Sequence, residues 1–369
     1  MLSVEMMEGG HGDALLVEYG TSTRKHRVLI DAGTRFSFDA IRSRLQALPL
    51  GGFELFVVTH VDEDHIGGAI KLLEDIDLRS RIRDVWFNGY VHLVDGGNVL
   101  GPREGERLTS LINEGFRWNF DPSLGTPFEP RQTVDVGGPI VVASTGALPT
   151  VELPGGATIY LLSPSGPKLK RMASTWVAAI EKAGLVAGEG ADSVNRPPSP
   201  RDVEVRVLPD PDDEWLSELA GPTTKDGSAA NGSSIAFVME FDHKRVLFGA
   251  DAHGPVLASS LKRLGTMLGE ERVRIDLCKL PHHGSDANVT SEWLDLIDCQ
   301  RFLFSTNGQN FGHPDHEAIA RVLLSSASPV TLIGNYRNER LQLWAKRKTV
   351  PKLRVKVPAK GASGIRVEC

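Results

Sequence analysis

Apolar positions along the chain fall into short runs broken by glycine-rich and polar turns, with stripes at helical spacing following several of them. Residues 2–7, 14–19 and 27–31 read as three successive strands, and 38–48 as a helix. The run Leu55-Phe56-Val57-Val58 reads as a buried strand, after which Ile66, Ile70 and Leu73 recur at helical spacing. Strands are expected at 84–88, 140–143 and 158–162, with helices at 104–114 and 172–183. The second half restarts with a hairpin, 235–241 and 245–248, around Asp242-His243-Lys244. Leu257, Leu261, Leu264 and Leu268 then form one helical stripe. Strands at 277–280 and 301–305 are expected to alternate with helices at 293–297 and 317–326. Four closing strands are expected at 331–334, 342–345, 353–357 and 364–368. Periodicity alone says only that α and β are mixed.

The polar residues at the ends of these strands carry the chemistry. His60, Asp62, Asp64 and His65 crowd into Thr59-His60-Val61-Asp62-Glu63-Asp64-His65-Ile66-Gly67-Gly68, a strand-to-helix turn. Such a turn lies at the carboxyl end of a strand, where α/β folds keep their sites. Neutral imidazoles and carboxylates converging on one turn are first-row metal ligands by type. Three further motifs follow strands in the second half: Asp251, then His282-His283-Gly284-Ser285, then His313-Pro314. Asp31, ending Val28-Leu29-Ile30-Asp31, reads either as a turn cap or as the carboxylate that fixes a ligating imidazole's tautomer. His253 and His316 read as helix caps, and His11 and His26 as surface residues.

The pattern His60-x-Asp62-x-Asp64-His65-x-Gly67-Gly68 resembles the signature of the metallo-β-lactamase fold hydrolases. It differs from their commonest form at Asp62, where a second histidine is usual. With aspartate there it looks like the branch typified by the extracellular hydrolase domain of the DNA-uptake protein ComEC. Gly9-Gly10-His11-Gly12-Asp13-Ala14 is similar to that branch's opening loop, and the later motifs follow its order. The resemblance implies an αββα sandwich of two mixed sheets flanked by helices (α/β, or α+β), one domain spanning 1–369. It implies that Asp64, His65 and one of the tandem histidines hold one metal, with His282 favoured because it directly ends its strand. His60 and Asp62 would hold a second metal and Asp251 would bridge the two. Asn231 falls where the broad family carries another histidine, leaving that site poor in nitrogen. Two divalent ions, Zn²⁺ or Mn²⁺, are the implied cofactors, activating a water for hydrolysis. His283, Ser285 and His313 are the candidate donors to developing negative charge, with His313 as a possible general acid.

The bulk numbers narrow this picture. A chain of 369 residues at 41% hydrophobic and 24% charged is ordinary globular composition. No apolar run approaches the roughly 20 residues of a membrane span, and nothing at the N-terminus reads as a signal peptide. Cys278, Cys299 and Cys369 are far apart, so a reducing cytoplasm is the expected location. The net charge of −6 argues against indiscriminate polyanion binding. Between 337 and 368, however, ten basic residues face two acidic ones, and Lys352, Arg354 and Lys356 would line the outer face of one strand. Residues 168–230 read as an insertion, partly mobile and more a surface loop than a lid, because Pro197-Pro198-Ser199-Pro200 and Pro209-Asp210-Pro211 suit neither helix nor central strand. The expected activity is metal-dependent phosphodiester hydrolysis with DNA or RNA as substrate; the alternative is a small-molecule hydrolase acting on a lactone, thioester or cyclic phosphoester.

Overall fold

The computed structural model describes residues 1–49, 51–93, 103–122, 125–128, 136–183, 213–326, 329–347 and 353–369. Two large sheets organise them. The first runs in the order Ile365–Glu368, Leu2–Met6, Leu15–Gly20, Lys25–Ile30, Leu55–Val57, Asp84–Trp86, Arg117–Trp118. Its pairs are antiparallel as far as Lys25–Ile30 and parallel from there on. The second runs Leu353–Lys356, Val330–Gly334, Arg301–Phe304, Leu277–Lys279, Lys244–Phe248, Ala236–Phe241, Ala157–Ser163, Thr150–Leu153. Here the first five strands are mutually parallel and the last three antiparallel.

Alternation along the strands explains the layering. In the first sheet Leu15, Val17, Val28, Ile30, Leu55, Val57 and Trp86 join one core with Ile159, Val238 and Leu247 of the second sheet. The intervening Leu16, Leu29, Phe56 and Val85 face the other way, into a core shared with helices Phe38–Gln46, Glu63–Glu74 and Arg103–Asn113. Helices Gly254–Leu268 and His316–Ser325 supply Leu257, Leu261 and Ile319 to the larger core. The result is the expected pair of mixed sheets flanked by helices. Among the described residues no helix is long and apolar enough to cross a membrane.

Some elements depart from the reading of the sequence. Residues 342–345, expected as a strand, belong to helix Glu339–Ala345. Asn338 caps it by accepting from Arg340 N and Leu341 N, and Leu341 and Trp344 bury one face at helical spacing. Residues 140–143 form no strand, only a bridge between Val142 and Ser165, while Thr150–Leu153 pairs at the sheet edge instead. Of the expected insertion, 184–212 lie outside the described residues; its flanks are helices Gly166–Ala183 and Asp213–Ala220 and the turn Ala229–Gly232. Lys352 is also outside them, but Arg354 and Lys356 are exposed as the alternation requires.

Two glycines let the site-bearing helix dock. A Cβ on Gly68 would stand 1.8 Å from Ala32 O, and one on Gly12 1.7 Å from Asp64 O. Helix Glu63–Glu74 therefore lies directly on the backbone of the loop after Lys25–Ile30. Gly68→Ala is expected to push this helix off that loop and destabilise the protein by about 1–3 kcal/mol. Urea unfolding of the purified variant measures this, and an unchanged midpoint would show that the contact is dispensable.

Candidate metal centre

The loops that follow the parallel strands of both sheets meet at one end of the sandwich. They bring Asp31, His60 to His65, Asp251, His282 and His283 together. Several of these residues sit in backbone conformations that side chains rarely adopt. Asp31 (φ 53°), Ala250 (44°), His282 (48°) and His283 (55°) are all left-handed. Such strain persists only where surrounding contacts impose it, and it concentrates at functional sites.

Each of the four imidazoles is held through Nδ1. His65 Nδ1 donates to Asp31 Oδ2 at 2.7 Å. Asp31 also accepts from Thr59 N at 2.8 Å and from Thr59 Oγ1 at 2.7 Å. That leaves the Thr59 hydroxyl as acceptor for His60 Nδ1 at 3.0 Å. His282 Nδ1 donates to Asn288 Oδ1 at 2.8 Å, and His283 Nδ1 to Ser305 O at 2.8 Å. With Nδ1 engaged in every case, Nε2 is the ring atom left to ligate a metal.

The four Nε2 atoms converge on Asp251. Its Oδ1 lies 3.4 Å from His65 Nε2 and 3.9 Å from His283 Nε2; its Oδ2 lies 3.9 Å from His60 Nε2 and 3.7 Å from His282 Nε2. Asp64 Oδ2 is 3.2 Å from His283 Nε2 and 3.7 Å from His65 Nε2, and Asp62 Oδ2 is 3.6 Å from His60 Nε2. His60 Nε2, His65 Nε2 and Asp251 Oδ1 are buried without a hydrogen-bond partner. Buried polar atoms are seldom left so, and a cation between them would satisfy all three. Electrostatics points the same way. Burial opposes ionisation of Asp251, but His65, His282 and His283 overcome it and hold the carboxyl well below its usual range. Burial likewise works against a proton on His283, yet Asp251 and Asp13 raise it to about 9. The site demands positive charge.

The sequence reading grouped His282 with Asp64 and His65; the structure places His283 there, and His282 by the other oxygen of Asp251. Both residues of the tandem pair are left-handed, and their rings stand at 65° with centroids 6.1 Å apart. Asn231 is buried near His282 (Nδ2 to Nδ1, 3.4 Å), and its Oδ1 has no partner. His313 stands with its ring 5.3 Å from that of His282 and its Nδ1 3.2 Å from Asp315 Oδ2. Burial is the largest influence on it and holds it below its ordinary pKa despite Asp315. The Ser285 hydroxyl accepts from Ala287 N at 3.3 Å, a turn-closing contact. His26, expected at the surface, is buried and pairs with Glu54 at 2.6 Å.

Sequence reasoning missed the residues behind the site. Asp13 and Lys279, both buried, form an ion pair at 2.8 Å, and Asp13 Oδ1 lies 3.3 Å from His283 Nδ1. The Gly12-Asp13-Ala14 motif was a usable signal for Asp13; a lysine inside a buried strand was one for Lys279. Asp226 accepts from Asn231 Nδ2 and Asn288 Nδ2, and so braces the ring-holding Asn288. It comes from a polar stretch with no motif to mark it.

The family model described as the metallo-beta-lactamase superfamily matches residues 7–301. No curated protein matches the chain. Among solved structures, CmlA, a diiron beta-hydroxylase from Streptomyces venezuelae, aligns over 99% of this chain and 54% of its own, at 12% identity and TM-score 0.39. This chain therefore spans about half the length of CmlA. The metallo-beta-lactamase fold protein YhfI from Bacillus subtilis aligns over 100% of this chain and 99% of its own, at 11% identity and TM-score 0.39.

Two outcomes are expected from the residues behind the site. Asp13→Asn leaves the Lys279 charge buried and unpaired, and should cost roughly 3–5 kcal/mol at pH 7. Burial opposes the Asp13 charge, but Lys279 and His283 lower its pKa from 3.8 to about 2. A depressed carboxyl stabilises the fold above its unfolded pKa and loses that contribution as pH falls from 3.8 towards 2. The gap between wild type and variant in urea unfolding should thus be full at pH 7 and narrow below pH 4; a gap independent of pH would contradict the pairing. Asp31→Ala, which frees the His65 ring, should weaken metal binding by about 10–100-fold in competition with a chelating dye.

Proposed function

We propose, from the premise that this chain belongs to the metallo-beta-lactamase superfamily, that it is a dinuclear metal-dependent hydrolase acting on phosphodiesters. One observation carries the dinuclear reading: the two oxygens of Asp251 face different ligand sets. His65 and His283 lie by Oδ1, with Asp64 against both rings, and His60 and His282 lie by Oδ2, with Asp62 against His60. His282 thereby gives the second set an additional imidazole, with the amide Nδ2 of Asn231 3.4 Å from its Nδ1. Two imidazoles and two carboxylates per set suit Zn²⁺ or Mn²⁺. When bound, such ions supply Lewis acidity and a water of lowered pKa.

The chain's own groups do the positioning. Asp31, Thr59, Asn288 and Ser305 O fix the four rings, so the ligand atoms need not reorganise as charge develops. His283 serves as a ligand in this arrangement rather than as a free donor. His313, its ring 5.3 Å from that of His282 and its Nδ1 3.2 Å from Asp315, is assigned contact with the departing or attacked group. The Asp62 variant of the signature, with the Gly12-Asp13-Ala14, His282-His283-Gly284-Ser285 and His313-Pro314 motifs, supports the ComEC-like branch and hence a nucleic-acid substrate. Exposed Arg354 and Lys356, on a strand parallel to those that bear the site, add positive charge for a polyanion.

Metal-stripped protein resupplied with Mn²⁺ or Zn²⁺ is expected to cleave bis(p-nitrophenyl) phosphate and single-stranded DNA or RNA. Asp64→Ala and Asp251→Asn should each lower kcat by about 10² or more, as losing transition-state charge stabilisation does. Turnover of a lactone or thioester with no phosphodiester cleavage under either metal would replace this reading with the small-molecule one.

A further inference from the structure

A cavity of about 630 Å³ adjoins the His282 side of the centre. It is lined by Lys168, Lys225, Asp226, His253, Gly254 and Thr290, among others. Asp226 joins cavity and centre, since its Oδ2 lies 3.9 Å from His282 Nδ1. The volume is that of a small-ligand site.

Several polar groups on its wall are hydrogen-bond donors. Helix Gly254–Leu268 begins there, with His253 at its N-cap making no side-chain cap. Pro255 has no N–H and Val256 N already donates to His253 O, which leaves the Gly254 N–H as that turn's donor. Thr290 is 91% buried (9% exposed), makes no cap for its own helix, and its Oγ1 has no hydrogen-bond partner. A Cβ on Gly254 would stand 2.8 Å from Thr290 Cγ2 and 3.0 Å from its Oγ1, so the absence of a side chain lets Thr290 pack directly against the helix start. Lys168 Nζ, held by His253 Nδ1 at 2.6 Å, adds a fixed ammonium, and Lys225 stands exposed at the rim. Two acids also line the cavity. Asp226 is turned inward, accepting from Asn231, Asn288 and Ser228 N, and Glu292 is exposed at the edge. An ammonium, a hydroxyl and a helix start without a capping side chain suit a phosphate group.

We propose that this cavity is a phosphate subsite beside the metal centre, taking a second phosphate of the substrate on Lys168, Thr290 and the start of the helix at Gly254. The substrate class is then a phosphodiester bearing another phosphate nearby, as in a nucleic-acid strand or a 5′-phosphorylated dinucleotide. This assignment rests on the phosphodiesterase reading for its substrate, and on the cavity alone for its anion.

Two measurements separate these parts. In calorimetry, inorganic phosphate should bind the metal-stripped protein and bind about tenfold more weakly to Lys168→Ala and Thr290→Val. Asp64→Ala, altered only at the centre, should retain the wild-type affinity. Equal affinity in wild type, Lys168→Ala and Thr290→Val, loss in Asp64→Ala alone, or no binding at all would overturn the subsite. With metal restored, KM should be about tenfold lower for 5′-phosphorylated thymidine dinucleotide than for its 5′-hydroxyl form. Lys168→Ala should erase that preference and Lys168→Arg restore it, with thermal melts verifying that each variant is folded. Lys168-dependent phosphate binding without any preference between the dinucleotides would establish a site for free phosphate and reject the substrate's second phosphate. Failure to cleave either dinucleotide would reject the phosphodiesterase reading, while the calorimetry still decides the cavity.

Discussion

Asp251 is 2% exposed, and a carboxylate taken out of water needs positive charge or donors facing it. It is met by four imidazoles, whose Nε2 atoms lie 3.4 to 3.9 Å from its oxygens. None of those rings points inward by its own preference. Each is turned by a partner at Nδ1: Asp31, Thr59, Asn288 or the Ser305 carbonyl. Asp13 and Lys279 stand behind His283, and Asp226 behind Asn288. The centre is thus a nested arrangement of buried charges, and each layer depends on the one outside it.

That arrangement places demands on the backbone. The left-handed conformations at Asp31, Ala250, His282 and His283 occur where the chain leaves a parallel strand and must turn at once. The direct seating of the metal-motif helix on the loop at Ala32 requires Gly68, and its contact with the opening loop requires Gly12. Packing and site chemistry are therefore one problem here. The two sheets hold the strand ends in register, and the loops can carry strain because the strands beneath them are buried.

The subsite proposed at Thr290 would extend this logic to the substrate. The strand-end loops that fix His282 continue into the wall of the cavity through Asp226 and His253. A group bound there would be held relative to the cluster by the same rigid elements. Positioning through a remote contact is how binding free energy is directed to a reacting centre.

Much of this was legible in the chain. Strand and helix order followed from period, because burying one face of each element imposes spacings of 2 or 3.6. The error at 342–345 shows the limit, since four residues cannot separate the two periods when a cap at Asn338 and a contact from Trp344 decide the outcome. The residue types of the centre were also legible, since His60, Asp62, Asp64 and His65 are local in sequence and Asp251 and the tandem histidines end strands. The division of His282 from His283 was not, because it depends on two consecutive left-handed residues and on partners at 288 and 305. Nor were Asp226 and Thr290 marked, since a side chain that braces or lines a site from a distant segment leaves no local pattern. The sequence by itself determined the elements and the residue types that gather at the strand ends, which are set by local periodicity and chemistry. Only the tertiary structure decided which imidazole faces which oxygen of Asp251, because that is set by contacts between residues far apart in the chain.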